Sequence, residues 1–281
     1  MNEKIVNVKI IKELAESFPY IFDDNPYFEL ERYESKKNIV FCIKFNMEDQ
    51  NDKNLKDIVV KIFKTQNADI EYKILSNLKK QGHFVPKIID YKKPYLILEK
   101  VEGTNLCDYI NNKLKNLEKL SELENKIREK LELSMKMLAD WLARFHKESI
   151  KLYDDFSGFY VLNKGDIRLR DFIINFKKGK IYGLDFEDCY EGNFLDDLAG
   201  ICCALLDTNP GIFELGVPFH KLDLIKIFLD EYFRINKDFQ FNFKYFATRL
   251  IENLNIVIER RNIGFGPINK EAILRRIGEH L

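Results

Sequence analysis

Hydrophobic and polar positions change period within the first hundred residues. Helical spacing of apolar residues predicts a short helix in the first twenty residues and another over Ala68–Lys79, which Gly82 and Pro86 end. Between these helices, polar turns separate three β-rich runs, Tyr27–Glu34, Ile39–Asn46 and Ile58–Lys64. Two more short runs of the same kind follow, Lys87–Tyr91 and Tyr95–Glu99. The pattern predicts a five-stranded antiparallel sheet with one helix, preceded by a short leading helix.

Beyond Gly103 the spacing becomes helical, with segments over Leu106–Leu114 and Leu117–Glu148. The strong β signal in this part is a hairpin, Phe172–Phe176 and Ile181–Asp185, around a Lys-Lys-Gly-Lys turn. Four helices are predicted after it, the first two separated by an Asn-Pro-Gly turn at 209–211: Asp196–Leu206, Lys221–Arg234, Phe243–Arg261 and Lys270–Leu281. The pattern therefore predicts an α+β fold with a small sheet-rich lobe and a mainly helical lobe.

Composition excludes several classes of function. Lys plus Arg and Asp plus Glu each total 45, so no global field attracts nucleic acid or a membrane surface. No apolar run is long enough to span a bilayer. The five cysteines lack metal-type spacing and no apolar signal sequence opens the chain, which predicts a protein of the reducing cytoplasm.

Three carboxylates cluster around the predicted hairpin. Asp166 and Asp171 lie in the loop before it, and Asp185 ends its second strand. If the two strands pair, the residues that enter and leave the hairpin lie side by side, so Asp171 and Asp185 are expected to converge. Like charges in that position need a cation, and Mg²⁺ favours one or two carboxylates together with phosphate oxygens. A solvated acidic loop is the alternative interpretation.

An ordered set of five motifs resembles the aminoglycoside phosphotransferase and choline kinase group of the protein-kinase-like superfamily. That group has a His-Gly-Asp catalytic loop in which four residues separate the Asp from a following Asn, and this spacing is kept from Asp166 to Asp171. The resemblance covers roughly residues 27 to 206. In chain order the motifs are Val59-Val60-Lys61 with Glu71, the connector Leu96–Gly103, Gly165-Asp166 with Asp171, Leu184-Asp185-Phe186, and Asp197-Leu198-Ala199.

The resemblance implies a two-lobed protein-kinase-like fold, with an N-lobe over 1–98, a connector over 99–103 and a helical C-lobe over 104–281. It also implies transfer of a phosphoryl group from ATP or GTP to a small-molecule hydroxyl. Asp166 would deprotonate the acceptor, and Asp171 and Asp185 would hold Mg²⁺. The nucleotide would be bound by Lys61, by its ion-pair partner Glu71, and by backbone groups near Glu99 and Val101.

Three departures from the group's pattern bear on activity. The turn Ser35–Asn38 contains no glycine, although the phosphate-covering turn of relatives is glycine-rich. Lys164 stands in place of His, which leaves open a contact with phosphate. Asp171 stands in place of Asn and adds a negative charge beside the metal, so transfer is expected to be slower than in relatives.

The acceptor and two competing functions stay open at this point. Acidic residues at 187, 188, 191 and 196 could favour a cationic acceptor such as an aminoglycoside or amino sugar, with a solvated acidic loop as the alternative interpretation, and a sugar or amino alcohol stays open as the acceptor. A kinase that acts on proteins is disfavoured, because Asp185 and Asp197 are too close for a long activation segment. A nucleotide-binding pseudokinase is the other alternative, although Lys61 and both principal aspartates are retained. His146 is interpreted as a packing residue.

Overall fold

A computed structural model describes most of the chain. The described residues are 3–22, 28–35, 37–45, 57–115, 117, 119–153, 158–208, 220–262, 275 and 278–279. They form two compact units, one comprising 1–80 with 86–101 and the other comprising 81–85 with 102–281.

The first unit is an antiparallel sheet preceded by helices. Helices α1 (Glu3–Ser17) and α2 (Pro19–Phe22) come first in the chain, and α3 (Ala68–Lys80) follows the third strand. The strands are β1 (Phe28–Tyr33), β2 (Ile39–Phe45), β3 (Ile58–Ile62), β4 (Ile88–Lys92) and β5 (Tyr95–Glu99), in the order β1-β2-β3-β5-β4. All neighbouring strands are antiparallel. The predicted five-stranded antiparallel sheet, its helix and the leading helix are confirmed.

The core of this unit lies between α1 and one face of the sheet. Leu14 of α1 and Phe18, the residue that follows α1, pack against Ile43, Val60 and Ile97 from three adjacent strands. Each of these side chains is at most 2% exposed. Burial of one such side chain contributes about 1.5–3 kcal/mol, so α1 is an integral part of the unit.

The second unit is mainly helical and carries two small sheets. Its helices are α4 (Leu106–Leu114), α5 (Asn125–Glu148), α6 (Leu195–Leu206), α7 (His220–Ile235) and α8 (Phe243–Arg261). Its strands are β6 (Thr104–Asn105), β7 (Lys151–Leu152), β8 (Phe159–Asn163), β9 (Phe172–Asn175), β10 (Lys180–Gly183) and β11 (Tyr190–Gly192). The sheet orders are β10-β9-β6 and β11-β8-β7. Helix α5 packs on α7, and α6 packs on α8.

Two features of the second unit differ from the sequence predictions. The long helix begins at Asn125 instead of Leu117, because a short 3-10 turn comes first and the Glu122 carboxylate accepts the backbone N–H of Lys119 at 3.1 Å. Strands β6, β7, β8 and β11 were not predicted. Three of them have only two or three residues, and β8 pairs with β11 more than twenty residues away along the chain. The predicted Asn-Pro-Gly turn lies outside the described residues, as does most of the predicted last helix.

The described residues confirm the predicted fold class, an α+β protein with an antiparallel sheet in its N-terminal part and helices in its C-terminal part. None of the helices in the described ranges combines the length and apolar character that a bilayer crossing requires.

Candidate functional site

In the first unit, Lys61 and Glu71 form a buried ion pair. Lys61 lies on β3 and Glu71 in the first turn of α3, and the Nζ–Oε2 distance is 2.6 Å. Lys61 is 6% exposed and Glu71 is 1% exposed. A charge so deeply buried needs a counter-charge, because an unpaired ion loses several kcal/mol of solvation in the interior. The structure therefore pairs these two predicted site residues directly.

The predicted purine-binding segment follows the end of β5. The backbone N–H of Glu99 donates to the carbonyl of Lys87 at 2.9 Å, and the Glu99 carboxylate accepts the Lys87 N–H at 2.8 Å. The amide of Glu99 is thus used within the first unit. Val101 is half-buried at the end of that unit.

In the second unit, one carboxylate holds the start of the predicted catalytic loop. Asp197, in the first turn of α6, accepts the backbone N–H groups of Lys164 at 2.6 Å and Gly165 at 3.2 Å. Its Oδ2 also lies 3.2 Å from Nε2 of His146, which is fully buried and contacts Tyr232 through Nδ1. His146 is therefore a buried packing residue, as expected, and it also contacts the carboxylate of Asp197. Asp197 was recognised only as a motif residue, and its anchoring role depends on tertiary contacts.

Gly165 allows the loop to turn immediately before Asp166. Its φ is +70°, in the left-handed region that favours glycine. A Cβ atom at this position would lie 2.2 Å from the carbonyl oxygen of Asp188. Any side chain would force the loop away from the segment that follows the hairpin, so the glycine of the motif has a steric basis in this chain.

Asp166 forms a close ion pair with Arg168. The Arg168 guanidinium lies 2.7 Å from Oδ1 and 2.5 Å from Oδ2 of Asp166 through Nη2, and Nε lies 3.1 Å from Oδ1. Both side chains are partly exposed. The predicted general base therefore has a cationic partner, Arg168, that was not expected from the sequence. The position of a basic residue two places after Asp166 is the sequence signal that could have indicated this pair.

Asp171 and Asp185 flank a buried lysine. The hairpin register pairs Gly183 with Phe172, so Leu184 lies opposite Asp171 and its N–H donates to the Asp171 carbonyl at 2.8 Å. The expected direct pairing of Asp171 with Asp185 is wrong by one residue, because the turn of the hairpin spans 176–179, one residue earlier than predicted. The two carboxylates still lie near each other, since Asp185 contributes to the raised pKa of Asp171. Nζ of Lys164 lies 3.2 Å from Asp171 Oδ2 and 2.9 Å from the Asp185 carbonyl oxygen.

The ammonium of Lys164 therefore supplies one cation beside these carboxylates. Its side chain is 1% exposed. Burial alone would lower the pKa of Lys164, but Asp171 and Asp185 outweigh burial and raise it above the ordinary lysine value. Burial raises the pKa of Asp171, against the opposing effect of Lys164. A direct contact of Lys164 with phosphate, left open by the sequence, does not agree with this burial.

The donor atoms that remain are suited to a divalent cation. Asp171 Oδ2 accepts from Lys164 and from the backbone N–H of Arg168 at 2.9 Å, whereas Oδ1 has no hydrogen bond among the described residues. One oxygen of Asp185 and one of Glu187 lie within 4.8 Å of each other. Hard oxygen donors at such spacing match the preference of Mg²⁺. Glu187 is a candidate ligand that the sequence presented only as part of an acidic loop.

Asp185 has an unusual backbone conformation. Its φ is +62°, a backbone angle that residues other than glycine rarely adopt. The left-handed conformation costs about 1–2 kcal/mol for a non-glycine residue, and such costs concentrate at functional sites. The chain thus keeps a carboxylate at a position where glycine would be more stable.

A cleft of about 520 Å³ opens beside Asp166 within the second unit. Its walls are formed by the predicted catalytic loop, α4 and the facing sides of α6 and α8. The α8 residues that line it recur at helical spacing, so one face of this helix is turned towards the cleft. Its volume is that of a small-molecule site.

Solved structures with the same fold include small-molecule kinases. APH(2")-IIa in a ternary complex with streptomycin and ATP matches with a TM-score of 0.56 and 13% identity, over 89% of this chain and 91% of that chain. Choline kinase LicA from Streptococcus pneumoniae matches with a TM-score of 0.55 and 14% identity, over 96% and 98%. Amicoumacin kinase hAmiN in complex with AMP-PNP, Ca²⁺ and Ami matches with a TM-score of 0.51 and 13% identity, over 99% and 96%.

At this level of identity the similarity establishes the fold. The expected resemblance to aminoglycoside phosphotransferases and choline kinases is confirmed to that extent. Neither the protein-family models nor the curated protein sequences give a match to this chain.

Proposed function

We propose that this protein is a phosphotransferase that moves the γ-phosphoryl group of ATP or GTP to a hydroxyl group of a small molecule. The carrying observation is the position of Asp166, on a loop anchored by Asp197, at the wall of a cleft of about 520 Å³. A partly exposed carboxylate beside such a cleft can accept a proton from a bound hydroxyl. The fold shared with small-molecule kinases supports the same class of reaction.

In the proposed reaction, Asp166 accepts the proton of the acceptor hydroxyl as its oxygen attacks the γ-phosphorus. The bond between that phosphorus and the bridging β–γ oxygen breaks, and the nucleoside diphosphate leaves with the electron pair. Arg168 orients the Asp166 carboxylate. The ion pair between Arg168 and Asp166 weakens when Asp166 accepts the proton, because protonation removes the negative charge of the carboxylate. Positioning and charge neutralisation supply most of the rate enhancement.

Asp185 and Oδ1 of Asp171 are the proposed ligands of Mg²⁺, with Glu187 as a further carboxylate nearby. When bound, Mg²⁺ neutralises negative charge on the nucleotide phosphates. Lys164 already compensates one negative charge of this cluster, which offsets the extra charge of an aspartate at position 171. Lys61, oriented by Glu71, is proposed to contact the nucleotide phosphates. The same proposal assigns the purine edge to backbone groups near Glu99 and Val101.

One observation favours a second candidate, a pseudokinase that binds nucleotide without turnover. Arg168 contacts both oxygens of Asp166, and a guanidinium held there would keep the carboxylate from accepting a proton. A protein acceptor is less well supported, because only eleven residues lie between Asp185 and Asp197, and β11 and the start of α6 occupy five of them.

Calorimetric titration with ATP and GTP, with and without Mg²⁺, tests nucleotide binding, and release of nucleoside diphosphate with a panel of hydroxyl compounds tests transfer. Asp166→Asn should lower turnover by about 10²–10⁴ while nucleotide affinity stays unchanged. Asp238→Asn, an exposed aspartate between α7 and α8, is the matched control and should leave both unchanged. Mg²⁺-dependent binding without turnover would select the pseudokinase, and full activity of Asp166→Asn would refute the proposed role.

A further inference from the structure

The cleft beside Asp166 is richer in cationic than in anionic side chains. Among the described residues that line it, arginines outnumber aspartates by five to four, and no lysine or glutamate is present. The arginines are Arg168, Arg170, Arg249, Arg260 and Arg261, and the aspartates are Asp166, Asp196, Asp197 and Asp207.

Contacts within the protein engage each of the four carboxylates. Asp196 accepts from Arg249 at 2.8 Å and from the hydroxyls of Tyr190 at 3.0 Å and Tyr245 at 2.9 Å. Asp207 accepts from Arg261 at 2.9 Å. Asp166 and Asp197 are paired with Arg168 and with the catalytic loop, as described above. A cationic acceptor would therefore find no carboxylate in the described lining that is without a protein partner.

The acidic residues expected at the mouth are also engaged. Glu191 forms an ion pair with Lys151, and Asp196 is bonded as above. Glu187 is buried at 5% exposure, Asp188 is half-buried, and both have interaction partners within the protein. From the sequence alone, these acidic residues made a cationic acceptor possible. Their protein partners remove most of the support for such an acceptor, because a carboxylate paired with a cation exerts little electrostatic attraction on a ligand.

Two arginines of the cleft have no carboxylate partner among the described residues, Arg170 from the catalytic loop and Arg260 from the last turn of α8. Burial raises the pKa of Cys203 to about 12, while Arg260 and Arg261 act in the opposite direction, in agreement with guanidiniums near the α6 wall. Burial likewise raises the pKa of Cys107 on α4, and the charge of Arg170 acts in the opposite direction, in agreement with a guanidinium near the α4 wall. Planar guanidiniums bind carboxylate and phosphate groups through two parallel hydrogen bonds.

We infer that the acceptor is a hydroxyl compound that carries an oxyanion group, a carboxylate or a phosphate, bound by Arg170 and Arg260. This inference rests on the proposed function, since it names the acceptor class of the same site. The charged group of such an acceptor meets Arg170 and Arg260, which have no carboxylate partner in the part of the chain that the structure describes, and its hydroxyl end lies towards Asp166.

The test uses one six-carbon frame with four different charges: gluconate, glucose 6-phosphate, glucose and glucosamine. Binding to the full-length protein loaded with Mg²⁺ and a non-hydrolysable ATP analogue is measured by calorimetry, and acceptor-stimulated ADP release with ATP is measured in parallel. Gluconate, glucose 6-phosphate or both should bind about tenfold or more tightly than glucose, because a charge-assisted hydrogen bond exceeds a neutral one by roughly that factor. The two anionic compounds separate carboxylate from phosphate recognition.

Arg170→Gln and Arg260→Gln should each weaken binding of the anionic compound by about tenfold and leave the affinity for glucose unchanged. Arg234→Gln is the matched control, since Arg234 pairs with Glu231 on α7 outside the cleft. Preference for glucose or glucosamine, no binding of either anionic compound at millimolar concentration, or equal affinities in the arginine variants would each overturn the inference. Mg²⁺-dependent nucleotide binding and basal ATP hydrolysis, read on the same samples, report separately on the proposed function.

Discussion

Replacement of Lys164 by methionine tests whether the buried lysine stabilises the carboxylates of the proposed metal site. Methionine keeps most of the side-chain volume and removes the ammonium, which lies 3.2 Å from Asp171 Oδ2. The lysine side chain is 1% exposed and that of Asp171 is 12% exposed, so water cannot replace the lost partner fully. Removing one member of a buried ion pair costs about 3–5 kcal/mol, and we expect the free energy of unfolding to fall by about this amount.

The pH dependence of the loss has a definite sign. Burial already raises the pKa of Asp171, and removal of Lys164 raises it further because the attractive charge is gone. A carboxyl group whose folded-state pKa is raised binds its proton more readily in the folded protein, so its contribution to stability falls as pH rises. The Lys164→Met defect should therefore be smaller at pH 5 than at pH 8.

The double variant Lys164→Met with Asp171→Asn should recover most of the stability, because no unpaired charge is left in the interior. Urea denaturation followed by circular dichroism gives the free energies for a double-mutant cycle, and we expect a coupling of about 2 kcal/mol or more. Lys226→Met is the control for a surface pair, since Lys226 lies 3.6 Å from Asp230 with both side chains exposed, and it should cost less than about 1 kcal/mol. A Lys164→Met defect no larger than that of Lys226→Met, or a double variant as unstable as the single one, would refute the reasoning.

Two further predictions concern backbone strain and acid stability. Asp185→Gly should be about 1 kcal/mol more stable than Asp185→Ala in thermal denaturation, because glycine adopts a φ of +62° without steric cost, while both lose Mg²⁺-dependent turnover; equal stability would contradict the strain argument. His220 is fully buried, and burial, with the nearby charge of Lys221, lowers its pKa from 6.5 to about 4. The unfolded chain therefore takes up a proton below pH 6.5 before the folded protein does, and stability should fall by up to about 3 kcal/mol between pH 6.5 and 4. Urea midpoints across this range should show a shallower fall for His220→Leu than for the unsubstituted protein, and parallel curves would argue against the assignment.

The sequence by itself determined the local elements whose signals are contained in a few neighbouring residues. Short apolar runs rich in β-branched and aromatic residues specify β2 and β3, and helical spacing of apolar residues specifies α3. The ion pair of Lys61 and Glu71 could also be expected, since a lysine on a buried strand needs a nearby counter-charge. The order of the motifs was enough to predict the kinase-like fold that the solved structures share.

Only the tertiary structure decided which charges meet. The hairpin register, one residue away from the expected pairing, places Leu184 opposite Asp171, and Lys164 reaches the carboxylates from the preceding loop. Asp197 anchors the loop from α6, and its partners are more than thirty residues away along the chain. Arg249 forms an ion pair with Asp196, so this acidic residue at the mouth no longer supports a cationic acceptor. Charge pairing acts over a few ångströms in space, so sequence position cannot reveal it until the fold has brought the partners together.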